Sequence, residues 1–364
     1  MERKRSNAEK RQAKDSIVKQ EENIKHMNAG ETITIFKEEM QSVFYNILLK
    51  VCFTNEKAKQ SAEIFTDNTV DGVYTHGVNR FPRFVQYIKE GYVKADAEPS
   101  LINSSGGMEQ WNGNLGPGIL NAVTATRRAI QLAKQNTVGC IALANTNHWM
   151  RGGYYGWQAA REGFVFIGFT NTIANMPAWN AVDSRLGNNP LVIALPYKDD
   201  AIVLDMAMSQ FSFGGMEMAA IKNEKLRVYG GYDIEGNLTN DPAAILQSQR
   251  PLPAGYWKGA GLSLLLDLLA STLSGGLSTH EVSRKKAEYA VSQVFIAIDP
   301  TRLHNHSVIA ATIDNITADY HQSVVAGEGS KILYPGERIL QTRENNLKNG
   351  IPVLKEIWEQ VLKL

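Results

Sequence analysis

From Ile35 to Cys52 apolar residues recur with helical period (Phe36, Met40, Val43, Phe44, Ile47, Leu48 and Val51), which predicts an amphipathic helix. A second stripe, Ala58, Ala62, Ile64 and Phe65, follows a cap at Asn55 and is interrupted by Asp71-Gly72. Asn121 to Lys134 and Tyr154 to Arg161 read as further helices. Between and after them the pattern changes to short, continuous apolar runs: VGCIALA (138–144), FVFIGFT (164–170), LVIALP (191–196), AIVLDM (201–206) and QVFIAID (293–299). Runs of this length and β-branched content are buried strands. The third and fourth are joined by the turn Tyr197-Lys-Asp-Asp200, so they pair antiparallel, and the sheet is not an all-parallel βαβ sheet. Leu262 to Leu273 is apolar but broken by Ser263, Asp267 and Ser271; it is no bilayer span and reads as a buried core helix. Val353 to Leu364 closes the chain as an amphipathic helix.

Composition narrows the function classes. Net charge is +1 and the pI about 7.7. That balance gives no case for nucleic acid or a membrane surface as partner. Two cysteines, Cys52 and Cys140, make no disulfide framework, and no Cys/His spacing resembles a zinc site. A reducing, cytoplasmic setting is expected. Residues 1–32 are polar, charged with both signs and nearly free of aromatics, so they read as a disordered extension or a loosely attached helix. Their acids argue against a mitochondrial transit peptide, and Met27 is an alternative start.

Candidate chemistry centres on Tyr74-Thr75-His76-Gly77-Val78-Asn79-Arg80. On a helix, His76 and Arg80 would share a face. A guanidinium fork matches a carboxylate and an imidazole exchanges protons near neutrality, a pair suited to a small 2-keto acid. Pro82 is expected to end or kink that helix. The competing reading is a surface histidine at a helix end, with its arginine paired to a nearby acid. His148 lies in a polar loop, Asn145 to Gly153, directly after a buried strand. It is a site candidate, or else a residue that satisfies backbone groups. Lys258 sits between glycines at a helix N-terminus, where an anion would be favoured; an ordinary solvated lysine is the alternative. The stretch Gly116-Pro-Gly118-Ile-Leu-Asn121 falls short of the GxGxxG fingerprint, and no P-loop is present. His304-x-His306 lacks carboxylate or cysteine partners and reads as surface loop.

With these stretches in place, the chain resembles the malate/L-lactate dehydrogenase-like oxidoreductases, which lack a Rossmann fold. The matching motifs are GVYTHGVNRFPRF (72–84), ANTNHWMRGGYYGWQAA (144–160), GNNPLVIALP (187–196), LDMAMS (204–209), LPAGYWKGAGLSLLLDLLA (252–270), FIAID (295–299) and PGE (335–337), in family order. The resemblance implies an α/β (α+β) fold with a nicotinamide-binding domain on a mixed, largely antiparallel sheet, plus a mainly helical domain from the two chain ends. The expected units are 33–113 with 305–364 for substrate and dimerisation, and 114–304 for cofactor. It implies a homodimer, NAD(H) or NADP(H), no metal and a keto-acid substrate. The substrate expected is 2,3-diketo-L-gulonate; a malate- or lactate-type 2-hydroxy acid, or a catalytically silent binding role, are the alternatives. By resemblance His76 is the catalytic histidine and Arg80 holds the substrate carboxylate, with His148 and Thr75 lining the substrate site. Cofactor contacts fall on Asp200, Ala201, Ile202, Val203, Leu204, Asp205 and Met206, on Trp257 and Lys258, and on Gly336, Glu337 and Arg338. Two departures stand out: Asn188 replaces the threonine of the usual GTNP, and Asn180 stands where a glycine is common. The first bears on a cofactor contact and the second on a turn, since asparagine tolerates positive φ better than most residues but less well than glycine.

Overall fold

The structure, a computed structural model, describes residues 31–327 and 329–364. The extension expected over residues 1–32 therefore lies almost wholly outside the described residues, as does Met27. Its last residue does not: Thr32 opens strand β1 (Thr32–Ile35), which pairs antiparallel with β9 (Ile351–Leu354). The first residues of both predicted terminal helices thus belong to strands. The helices proper are α1 (Lys37–Lys50) and α10 (Lys355–Leu362). Alternation of Ile33 and Ile35 against Val353 and Ile351 suits a two-stranded ribbon with one buried face, and helical period resumes only beyond it.

The terminal unit adds α2 (Asn55–Val70), α3 (Phe81–Lys89) and α9 (Glu337–Asn349). Phe44 of α1, Phe65 of α2 and Phe81 of α3 are buried together, Phe44 and Phe81 stacking at 4.1 Å and Phe65 meeting Phe81 edge-on at 5.1 Å. Each such ring contributes about 1.5–3 kcal/mol by burial. This cluster fixes α3, and with it the Arg80 that precedes Phe81.

The larger layer is a seven-stranded mixed sheet of β2 (Ser100–Ser105), β3 (Met108–Asn112), β4 (Val138–Thr146), β5 (Val165–Thr170), β6 (Leu191–Tyr197), β7 (Asp200–Met206) and β8 (Val291–Ile298). Their spatial order is β2-β3-β4-β8-β5-β6-β7. Only β3 and β4 run parallel; every other neighbouring pair is antiparallel. The hairpin expected from Leu191 to Met206 is present, Tyr197 pairing with Asp200. The doubly wound parallel arrangement is therefore absent, as the missing fingerprint implied. Helices α4 (Gly118–Asn136) and α5 (Gly153–Arg161) pack on the sheet, α4 presenting Ile119, Ala122, Val123 and Ile130 to it.

Helix α7 (Trp257–Ser274) corrects an expectation. Leu266 and Ala270 are buried, but Leu264, Leu265, Leu268 and Leu269 are about half exposed, Leu265 at 55%. A helix that is apolar all round needs cover on all sides; the sheet supplies only one.

Candidate active site

The chain brings His76, Arg80 and His148 to one cleft, though not by the helix that their spacing suggested. Tyr74–His76 is a single 3₁₀ turn, Gly77 follows, and Arg80 is the N-cap of α3. Pro82 starts the next helix rather than ending one: it occupies the first turn of α3, where its missing N–H costs nothing. The turn is clamped to α2. Asn68 Nδ2 donates to the His76 carbonyl at 3.1 Å, and the Val78 N–H donates to Thr69 Oγ1 at 3.0 Å. A Cβ on Gly77 would lie 2.2 Å from Thr69 Oγ1, so only glycine allows this approach.

His148 leaves the end of β4 on a loop whose backbone is held in unusual conformations. Asn145 and Met150 have φ of +54° and +62°. Left-handed non-glycine residues on both sides of one histidine mark a loop that its surroundings over-determine. The anchors are visible: Tyr155 Oη donates to the Trp149 carbonyl at 2.7 Å, and Gln293 Nε2 donates to the Asn147 carbonyl at 3.1 Å. Asn147 spends its own amide on the carbonyls of Tyr92, Leu115 and Gly116, and Asn145 donates to Asn112 Oδ1, so those donors serve the loop rather than a ligand.

The two imidazoles stack, centroids 5.8 Å apart and planes 25° from parallel. Thr75 Oγ1 lies 3.2 Å from His76 Nδ1, which orients that ring. The Met150 N–H donates to His148 Nδ1 at 2.9 Å, so neutral His148 carries its proton on Nε2. One His148 nitrogen thus satisfies the backbone, and the other stands toward Glu288. Burial first, then the charges of His148, Arg80 and Arg151, push His76 down to about 3. Burial, then Arg80 and Arg83, do the same to His148, also to about 3. Burial lowers Arg80, opposed chiefly by Glu288. Among the described residues no carboxylate is within ion-pair distance of Arg80, which lines a narrow cleft with Arg83, His148 and Glu288.

Sequence reasoning missed several charged residues here. Arg151 pairs with Asp71, is nearly fully buried, and lies 4.6 Å under the Trp157 ring. Arg343 of α9 bonds Asp71 at 2.7 Å and Asp67 at 3.1 Å, tying the C-terminal unit to the site. Glu288, just before β8, puts Oε1 3.9 Å from His148 Nε2. The Asp71-Gly72 break and the Arg in the His148 motif were visible in the sequence, but nothing in it pairs them.

The expected cofactor residues separate into groups. Strand β7 is the sheet edge, and its Val203 N–H donates to the Pro335 carbonyl at 3.0 Å, so Gly336 (φ +96°) lies on it. A Cβ on Gly336 would meet Val203 and Trp157 at 3.2–3.3 Å. Asp200 is engaged by Arg161 at 3.0 and 3.1 Å, and Glu337 by the Tyr334 N–H and by His321. Asp205 accepts from the Gly153 N–H at 2.7 Å. Ala201 and Val203 point into the core, whereas Ile202, Leu204 and Met206 are half-buried. Trp257 and Lys258 are exposed on the first turn of α7, which no side chain caps, and Tyr256 before them has φ +61°. They join the end of β7 through Met208, whose carbonyl accepts from the Ala254 N–H at 2.8 Å. Arg338 is exposed. An uncapped helix N-terminus with an exposed lysine fits a dinucleotide diphosphate. Among the described residues no group of three or more His, Cys, Asp or Glu stands where it could hold a metal. Asn180 has φ +69°, the conformation its replacement of glycine required.

The fold and this cleft define a nicotinamide-dependent oxidoreductase acting on a CH–OH or keto group. The malate/L-lactate dehydrogenase family profile matches residues 35–362, and the chain belongs to that family. A protein of Citrobacter koseri named 2,3-diketo-L-gulonate reductase is 42% identical over 328 residues, 90% of this chain and 98% of its own. One of the same name from Escherichia coli O1:K1 / APEC matches equally. Among solved structures, malate dehydrogenase from Pyrococcus horikoshii OT3 superposes with a TM-score of 0.82 at 27% identity, over 91% of this chain and 95% of that one. Sulfolactate dehydrogenase from Methanocaldococcus jannaschii gives 0.82 at 27%, over 90% and 95%.

Proposed function

We propose that this chain reduces 2,3-diketo-L-gulonate to 3-dehydro-L-gulonate with NADH, as a cytoplasmic homodimer. The observation that carries the reading is the open guanidinium of Arg80 beside the stacked His76–His148 pair. Arg80 has no ion partner of its own among the described residues and sits where a 2-keto acid can offer its carboxylate to the fork while its carbonyl faces the imidazoles. When bound, reduced nicotinamide supplies hydride to the keto carbon. His76 gives a proton to the carbonyl oxygen as charge grows there, with Thr75 holding its ring. Arg80 fixes which face of the substrate is presented. Neutral His148 directs its Nε2–H at substrate oxygen.

Lys258 and the first turn of α7 would hold the diphosphate, with Asp200 to Met206 and Gly336 to Arg338 along the same sheet edge as further cofactor contacts. Identity of 42% to proteins named for diketogulonate reduction supports the substrate. The half-exposed leucines of α7, with Val308 and Ile316 of α8 (His306–His321), support the homodimer, because a monomer rarely leaves so much apolar helix uncovered. The two-unit division, 33–113 with 305–364 and 114–304, is kept, Ser100–Asn112 lending its hairpin to the sheet of the second unit. The test is oxidation of NADH and of NADPH by purified protein across 2-keto acids including 2,3-diketo-L-gulonate, oxaloacetate and pyruvate. A preference for oxaloacetate or pyruvate would replace the substrate, and no oxidation of either dinucleotide would leave a binding protein.

A further inference from the structure

A carboxylate in the pocket of an enzyme for anionic substrates needs a reason. Glu288 stands among Arg80, Arg83 and His148, and it would repel a substrate carboxylate if it had no compensating role. Its two oxygens are differently employed. Oε2 accepts from the Ile173 N–H at 3.0 Å, which fixes the side chain. Oε1 lies 3.9 Å from His148 Nε2, too far for a direct hydrogen bond. His148 cannot turn to close the gap, because its Nδ1 is held by the Met150 N–H at 2.9 Å. A fixed donor and a fixed acceptor therefore face each other across a space that one oxygen can bridge. The bridging group must accept from N–H and donate to a carboxylate, which a hydroxyl does and a methyl, methylene or carbonyl does not.

We propose that Glu288 is a specificity-determining residue: with His148 it forms a clamp for a hydroxyl on the substrate carbon chain, selecting hydroxylated 2-keto acids over those with a bare alkyl chain. The inference rests on the keto-acid reductase reading above. It gives that reading a reason to favour a polyhydroxy substrate, since a site built around a hydroxyl leaves His148 and Glu288 unpaired when the hydroxyl is missing. Glutamine at 288 can still accept from Ile173, but it loses the charge that strengthens the bond to the hydroxyl.

Hydroxypyruvate and pyruvate differ by one hydroxyl, and the ratio of their kcat/KM values reads the clamp directly. In Glu288→Gln that ratio should fall about tenfold or more, hydroxypyruvate losing far more than pyruvate. Glu288→Ala, checked for an unchanged melting temperature, should flatten it further. A role confined to folding or to holding the loop would slow both substrates alike and leave the ratio where it was, which overturns the clamp while leaving the reductase reading intact. Failure of the unmodified protein to reduce any 2-keto acid overturns both.

Discussion

His76 and His148 stack 5.8 Å apart within reach of Arg80, and neither imidazole is charged at neutral pH in the ligand-free cleft. Burial and the surrounding cations hold both at about 3, well below the ordinary histidine value near 6.5. The proton required at the carbonyl oxygen must therefore arrive with, or after, the anionic substrate. A bound carboxylate offsets Arg80 and raises the neighbouring imidazole, so binding takes up protons.

Calorimetry of oxalate binding to the NADH complex at pH 7, in phosphate and in Tris, checks this. The two observed enthalpies should differ by the difference between the two buffers' ionisation enthalpies multiplied by the number of protons taken up, roughly one at most. The sign follows from the pKa moving upward from about 3 when a carboxylate offsets the neighbouring cations. Uptake should vanish in His76→Asn. Equal enthalpies in both buffers would mean that the donor is already protonated in the free enzyme.

His76 and Arg80 should fail differently. Loss of the proton donor in His76→Ala should lower kcat by about 10²–10⁴-fold and leave NADH binding intact. Arg80→Lys keeps the charge but loses the fork, so the keto-acid KM should rise and kcat should fall less. If His76→Ala keeps near-normal kcat, His148 becomes the donor to test.

Much of this site was legible in the sequence, for identifiable reasons. The Leu191–Met206 hairpin shows because both strands are short apolar runs flanking a polar turn, a local signal. His148 shows because a buried strand runs straight into a polar loop. The geometry of His76 and Arg80 did not show: four-residue spacing suggests one helix, but Asn68 and Thr69 of α2 hold the segment as a turn, and those partners are known only once α2 packs against it. Glu288 and Arg343 are invisible for the same reason, lying 140 and 195 positions from His148 in numbering and meeting the site only through the sheet and α9. Helix α7 misled because uniform leucine content tells that a helix must be covered, not whether its own chain covers it.

The Asp71 junction should govern stability more than chemistry. Asp71 serves Arg151 on one oxygen and Arg343 on the other, and Arg151 has no exposed route to water. Asp71→Asn leaves a buried guanidinium without its counter-charge, which costs about 3–5 kcal/mol. Urea denaturation should show a loss of that size, with a fall in melting temperature of several degrees. A loss below about 1 kcal/mol would place the pair among ordinary surface ion pairs.

Gly118 lies under the loop that carries His148. It is the first residue of α4, and a Cβ there would fall 2.1 Å from the Asn147 carbonyl oxygen and 2.5 Å from that of His148. Both oxygens are backbone atoms, so no rotamer change can relieve the overlap; either the loop or the helix start must move. The helix is anchored along its length by buried Ile119, Ala122 and Val123, whereas the loop already carries left-handed Asn145 and Met150. The loop should give way. Gly118→Ala should cost about 1–3 kcal/mol of stability, the usual range for overpacking. It should also displace His148 from its stack on His76, and a misplacement of about 1 Å can cost roughly 10²-fold in rate. The expected result is therefore a loss in kcat/KM out of proportion to the loss in melting temperature, with affinity for NADH measured by fluorescence little changed, since Lys258 and the first turn of α7 lie on a separate element. Unchanged kcat/KM together with reduced stability would show that the strain passes into α4 and that the loop holding His148 is the stiffer of the two.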